Sequence, residues 1–293
     1  MRGVDAAAGL GLLAVLLAGH AGATELIPRG IYEWQEDHEG FGGFSGLAMA
    51  GDGASFLAVT DEGEMFRAKV SRDDKGQITN VESDWQARLL DNSGKPVHGF
   101  TADAEALSVG PDGSVYVGYE SYTRITSVSL PDLMPVTLHR WDRFRDLWGN
   151  AGFEGLAILP DGGLIAILET PGDGATFGTY IGRKGDWQPG PPLPAEDGFD
   201  AADAVFGPDG KLWLLERRLA ATGFATHIRR FAYDGAGFGA PETLLETRAG
   251  TLDNMEGMSL WVDPEGRLIV SLISDDNFLF VQKTILAEYE VVE

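Results

Sequence analysis

Five segments of one grammar constrain this chain more than any other feature: FSGLAMAGDGASFLAVTDEG, AEALSVGPDGSVYVGYES, FEGLAILPDGGLIAILET, ADAVFGPDGKLWLLERR and MEGMSLWVDPEGRLIVSLISDD. In each, a short apolar run enters an Asp-Gly, Pro-Asp-Gly or Pro-Glu-Gly turn, and a second run rich in Val, Ile, Leu and aromatics ends in acid. Two strand-like runs joined by a glycine turn read as a β-hairpin. Taking Ser45, Glu105, Glu154, Asp203 and Glu256 as equivalent, the hairpins recur at 60, 49, 49 and 53 residues. Four-stranded propeller blades repeat at roughly 40–50 residues, so the period predicts an all-β chain folded as a five-bladed β-propeller. The sequence between hairpins supplies two outer strands per blade, for example 124–130 and 136–141. A diverged sixth blade within the first, longest interval is the alternative.

The last repeat has its hairpin and the run 284–292 but no fourth strand of its own. Residues 26–34 are predicted to supply it, closing the ring between the two ends of the chain and removing free sheet edges. The prolines Pro189, Pro191, Pro192 and Pro194, with the acidic 197–200, read as a loop between blades. Residues 24–293 are therefore expected to form one domain. Ahead of it, 1–23 carry Arg2, an apolar run and Ala21-Gly22-Ala23, the pattern of a cleaved secretory signal peptide. Export to the periplasm or beyond is the expectation. No twin arginine precedes the run and no cysteine follows it, and no later stretch reaches the roughly 20 apolar residues that span a bilayer.

With no cysteine anywhere, thiolate catalysis, thiolate metal ligation and disulfides are excluded. Forty-five Asp and Glu against 22 Lys and Arg give a formal charge of −23. Such a field repels nucleic acid and anionic membranes and concentrates cations, although acid that merely keeps a protein soluble gives the same balance. The chain is expected to be a monomer. His38, His98, His139 and His227 are scattered without metal-ligand spacing. Gly43-Phe44-Ser45-Gly46 does not form a nucleophile elbow, because Leu47 stands where that motif needs glycine.

The first strand of each blade lines the central channel, so Ser45, Glu105, Glu154, Asp203 and Glu256 are expected to converge at one mouth. Crowded carboxylates raise one another's pKa unless a cation neutralises them, and oxygen-only donors point to calcium first. Glu105, Glu154, Asp203 and Glu256 are thus candidate metal ligands, with blade-to-blade hydrogen bonding of these carboxylates as the competing role. A second series, Asp61, Glu120, Glu169, Glu216 and Asp275, falls where the second strands end, at the same mouth. Asp61 and Glu169 are candidate general bases. Arg217 and Arg218 offer guanidinium forks for an anionic substrate, with Asp275, Asp276 and Asn277 beside them and Lys283 expected nearby.

The stretches FGGFSGLAM with TDEG, LLDNSGKPV before DAEAL, GFEGLAILPDG, ERR, LDNMEGM, and SDDNF with Gln282 and Thr284, taken in order, resemble the bacterial phytase-like proteins described as having esterase-like activity. The resemblance implies a periplasmic or secreted propeller with hydrolytic, phytase-like and calcium-assisted activity. Phe44, Glu62 and Met255 stand where Leu, Arg and Phe are expected, and Glu62 makes the mouth more acidic. The combined expectation is an ester hydrolase acting on a small anionic substrate, a phosphomonoester first. A metal-dependent lactonase-like propeller and a non-catalytic ligand-binding propeller are the alternatives.

Overall fold

The computed structural model describes residues 24–38, 40–149, 152–172, 174–183 and 185–293. The expected signal peptide at 1–23 lies outside the described residues. Five four-stranded antiparallel sheets form a five-bladed propeller. From the channel outward, blade 1 comprises Phe44–Met49, Ser55–Thr60, Glu64–Arg72 and Ile78–Arg88. Blade 2 comprises Ala104–Val109, Val115–Tyr119, Arg124–Ser129 and Met134–Thr137. Blade 3 comprises Phe153–Ile158, Leu164–Leu168, Thr179–Arg183 and Asp186–Pro189. Blade 4 comprises Asp200–Phe206, Leu212–Ala220, Gly223–Phe231 and Glu242–Glu246. Blade 5 comprises Asn254–Val262, Leu268–Asp275 and Ile285–Val292, and its outer strand is the N-terminal Glu25–Glu33, paired from Glu25↔Val292 to Glu33↔Ile285.

The hairpin turns explain why the repeat is legible. Gly53, Gly113, Gly162, Gly210 and Gly266 all have φ between 66° and 82°, where a side chain would be strained. The preceding aspartate of the first four turns, Asp52, Asp112, Asp161 and Asp209, accepts the backbone N–H two residues on at 2.9–3.1 Å. Glutamate is too long for that turn, and in blade 5 Asp263 instead accepts the N–H groups of Glu265 and Arg267.

Burial accounts for the ring. Each blade buries one face against the next, and five apolar clusters fill the five interfaces. The cluster between blades 5 and 1 joins Ile273 and Leu286 to Phe44, Phe56, Phe66 and Trp34. Trp34, 1% exposed, follows the closing strand and stacks on Phe44 at 4.9 Å. The long first interval holds no extra blade; it is taken up by the third and outer strands of blade 1, nine and eleven residues long, and by the 89–103 connection. The proline-rich stretch is more ordered than a loop: Pro189 ends the outer strand of blade 3, and Leu193–Pro194 pairs with Thr176–Phe177. Among the described residues no helix is long and apolar enough to cross a membrane.

Candidate functional site

Every inner strand carries a register shift near its start, at Phe44/Gly46, Ala104/Ala106, Phe153/Gly155, Ala201/Asp203 and Met255/Gly257. One residue is extruded at each, as β-bulges do beside functional sites. These residues are Ser45, Glu105, Glu154, Ala202 and Glu256. The next step toward the mouth pairs each inner strand with the end of the second: Asp61 with Gly43, Glu120 with Asp103, Glu169 with Gly152, Arg217 with Asp200, and Asp275 with Asn254. Blade 4 therefore differs from the other four. Its bulge is alanine, and its strand-end residue is Arg217 where the others have a carboxylate.

This register corrects three expectations. Asp203 is not a ring residue: it lies one place past the bulge, where the other blades have Gly46, Ala106, Gly155 and Gly257. Its carboxylate accepts the N–H of Met258 in blade 5 at 2.7 Å and of Ala204 at 2.7 Å. It locks blade to blade, although burial raises its pKa well above the usual range. Glu216 turns into blade 4, fully buried, and accepts two charged bonds from Arg229 at 2.6 and 2.5 Å, with His227 3.4 Å away. Arg218, pointing to the opposite face from Arg217, is exposed and stacks over Phe199 at 4.3 Å. Period-two alternation permits only one of two successive arginines to face the channel.

Two further residues near the mouth are occupied in building loops. Asp276 accepts from Gly43 N–H and Phe278 N–H, each at 3.1 Å, and from the Thr284 hydroxyl. Asn277 is exposed at φ 48°, and its N–H is bonded by Asp275. A Cβ on Gly43, at φ +63°, would fall 2.2 Å from Asp61 Oδ1, so glycine is required where this loop meets the site. Lys283 pairs with Glu33 at 2.5 Å on the exterior. Ser45, 1% exposed, donates its hydroxyl to Ala104 O and joins blade 1 to blade 2.

Glu105, Glu154, Glu256, Asp61, Glu120, Glu169, Asp275 and Arg217 do come together. Arg217 lies 3.2 Å from Glu256 and 3.3 Å from Glu169. Burial opposes its charge, but Glu256, Glu154, Glu169 and Glu105 outweigh burial and hold the guanidinium above its ordinary pKa. Burial, then mutual repulsion, acts on the acids. Burial and the charges of Asp275, Glu256 and Glu62 push Asp61 up to about 8. Burial, Asp103 and Glu169 push Glu120 to about 7. Glu256 reaches about 7 through burial, with Arg217 opposing, and Asp275 about 6 through burial, with the Asn277 N–H opposing. Glu105 and Glu154 are raised well above the usual range, first by burial and then by neighbouring carboxylates, while Arg217 works against the rise at Glu154.

The donor set fits a divalent cation. Asp103, Glu105 and Glu120 bring one oxygen each within 4.8 Å of one another, as do Glu120, Glu154 and Glu169, so Glu120 belongs to both groups. Glu154 Oε2 and Asp61 Oδ1 are buried without a hydrogen-bond partner among the described residues, and buried polar atoms left unpaired are costly. Glu256 is drawn away from these groups by Arg217 and by Asn254 Nδ2, which donates to it at 2.6 Å. Asp103 was missed at the sequence level, although the Asp103-Ala104-Glu105 spacing places both acids at the channel end of one strand.

A family model described as "Phytase-like: Esterase-like activity of phytase" matches residues 39–278. No protein with a curated description matches the sequence significantly. Among solved structures, a PQQ-bound aldose sugar dehydrogenase from Streptomyces coelicolor is 14% identical with a TM-score of 0.47, over 90% of this chain and 98% of that one. A gluconolactonase from Xanthomonas campestris is 13% identical with a TM-score of 0.44, over 84% of this chain and 72% of that one. A calcium structure of a Trichoderma reesei enzyme of carbohydrate-active family AA12 is 12% identical with a TM-score of 0.43, over 83% and 80%.

Proposed function

The chain belongs to the phytase-like family, and from that premise we propose that it is an exported ester hydrolase, with a phosphomonoester as the preferred substrate, working at the acidic mouth with divalent cations, calcium first. The observation that carries the reading is the pair of carboxylate groups sharing Glu120, with the unpartnered Glu154 oxygen between acids that repel one another. The Ala21-Gly22-Ala23 end of the apolar leader supports export.

Asp103, Glu105, Glu120, Glu154 and Glu169 would hold the cations. Bound there, they would supply countercharge to the acids and electrophilic assistance to the ester. Arg217, with its Nε unpartnered, presents a fixed positive group to an anionic substrate or to charge that develops during reaction. Asp61 stands apart from both groups on blade 1. With a pKa near 8 it holds a proton at neutrality and can exchange one with the reacting oxygen or an incoming water. Glu169 is tied to Arg217 and positions it.

A lactonase reading has one observation in its favour: Arg217 already has two carboxylate partners, which suits a neutral ester. The deciding experiment follows phosphate and p-nitrophenol release and lactone opening, with calcium or chelator, on wild type and Glu154→Gln. Calcium-dependent phosphate release lost in Glu154→Gln is expected. Equal activity of both proteins in chelator would refute the metal-assisted reading, and lactone opening without phosphate release would favour the neutral substrate.

A further inference from the structure

We propose that the cavity between the 89–103 connection and the outer half of blade 2, outside the acidic mouth, is a binding site for a small organic anion with a flat apolar body, held by Arg124. The cavity measures about 230 Å³, smaller than the roughly 300–1,000 Å³ of drug-sized pockets and suited to a single ring bearing a charged group. Leu90, Val97, Pro135 and Trp141 form apolar walls, and Arg124 and Thr126 provide polar ones. Trp141 is 62% exposed, an unusual position for an indole unless something covers it.

Arg124 opens the third strand of blade 2 and is held in place by two backbone carbonyls and a ring. It donates to Tyr122 O at 3.2 Å and to Thr101 O at 2.6 Å, and its charge lies 3.4 Å from the centre of the Tyr119 ring. No described carboxylate forms an ion pair with it, in a chain with twice as many acids as bases. Asp103, whose charge acts on Arg124, accepts Ser121 N–H at 2.9 Å and groups with the mouth acids Glu105 and Glu120. A guanidinium carries five N–H donors, so donors remain for a ligand. Burial holds Arg124 below its ordinary pKa, the signature of a cation short of countercharge. Thr126, 2% exposed, and Arg124 both hydrogen-bond the Tyr119 side chain, which fixes this polar wall of the cavity.

The surroundings are mixed in charge, since Asp91 lines the cavity together with Arg124. His139 lines the cavity with its Nε2 accepting Ile125 N–H at 3.1 Å and its other nitrogen bonded to Arg140 O at 2.7 Å, an arrangement that requires the neutral ring. Burial lowers its pKa, and the charges of Arg124 and Arg143 lower it further. Arg140 and Arg143 line the adjoining concavity that shares His139. That concavity also holds Asp186 and Asp142, the latter paired with Arg140 at 3.2 Å, so its charges are balanced and Arg124 is the cation that the cavity itself presents. The site stands independently of the proposed hydrolysis, since none of the carboxylates assigned to cations lines it.

The test is calorimetric titration of the full chain, in chelator so that the mouth carries no cation, with benzoate and phenylphosphonate as anionic probes and benzyl alcohol as the neutral counterpart. The anions are expected to bind at least about tenfold more tightly than benzyl alcohol, with the difference lost in Arg124→Gln. Trp141→Ala should weaken all three probes. No anion binding by wild type, or binding unchanged in Arg124→Gln, overturns the proposal. So does loss in Arg217→Gln alone, which would put the anion in the mouth. If Arg124→Gln fails to fold, Trp141 fluorescence of the wild type decides: quenching by the anions and not by benzyl alcohol supports the site, and equal responses refute it.

Discussion

Arg217 of blade 4 reaches across the channel mouth to Glu256 of blade 5, its Nη1 3.2 Å from the carboxylate. Four blades end their second strand in an acid at this level, and blade 4 ends it in Arg217, whose charge opposes the repulsion among them.

Removing that charge should therefore damage both stability and activity. Arg217→Gln leaves Glu256 and Glu169 without a cation, and breaking a largely buried pair costs about 3–5 kcal/mol. Urea unfolding in chelator measures this. Turnover is expected to fall by roughly 10²–10³-fold if the guanidinium meets charge developing in the transition state. A variant that binds calcium normally and turns over at the wild-type rate would remove Arg217 from the mechanism.

Stability should depend on pH in the direction opposite to that of a protein held by ordinary salt bridges. Asp61 near 8, Glu120 and Glu256 near 7 and Asp275 near 6 all lie above their unfolded values. Between about pH 4 and 8 the folded state then binds more protons than the unfolded chain, so these groups make stability fall as pH rises. In chelator, Tm is expected to drop by several degrees between pH 5.5 and 8.5, and calcium should restore most of the loss at the upper end. A curve that is flat or rising in chelator would contradict the buried acidic mouth.

Calcium binding itself should separate the mouth carboxylates into two kinds. Glu120→Gln removes the acid common to both groups and is expected to weaken calcium by more than about tenfold. Asp203→Asn, whose side chain serves Met258 N–H, should leave calcium affinity within about twofold while lowering stability by roughly 1–3 kcal/mol. Terbium luminescence titration alongside thermal unfolding tests both.

Ring closure depends on Trp34. Trp34→Ala empties the blade 5–blade 1 interface and should cost about 3–5 kcal/mol. Because the closing strand pairs only with Ile285–Val292, limited proteolysis of this variant should cut first near residues 25–37. Cleavage elsewhere would show that another blade opens first.

The Asp-Gly turns, the 49–60-residue period and the unmatched ends of the chain pointed to five blades and their closure, because each is a local or nearest-neighbour constraint, and the long strands Glu64–Arg72 and Ile78–Arg88 then ruled out the sixth blade that the first interval had left open. Glu105, Glu154, Asp61 and Glu169 were legible as mouth residues for the same reason: they sit at fixed offsets from a turn. Blade 4 resisted that reading. Ala201-Ala202-Asp203 offers an acid where the pattern asks for one, and Glu216 precedes Arg217 in the manner of a strand-end carboxylate. Counting back seven places from the turn aspartates leads to Ser45, Glu105, Glu154 and Ala202 alike, but the acid next to Ala202 drew the assignment one place off, and the pairing of Ala201 with Glu216 and of Asp203 with Leu215 shows which residue is extruded. A single step in a strand moves a side chain from one face to the other. That step sends Asp203 into the blade interface, Glu216 to Arg229 and Arg217 into the mouth. The composition and period determined an acidic propeller; the tertiary pairing decided that its acids surround one arginine and that Arg124, outside that mouth, forms no ion pair among the described residues.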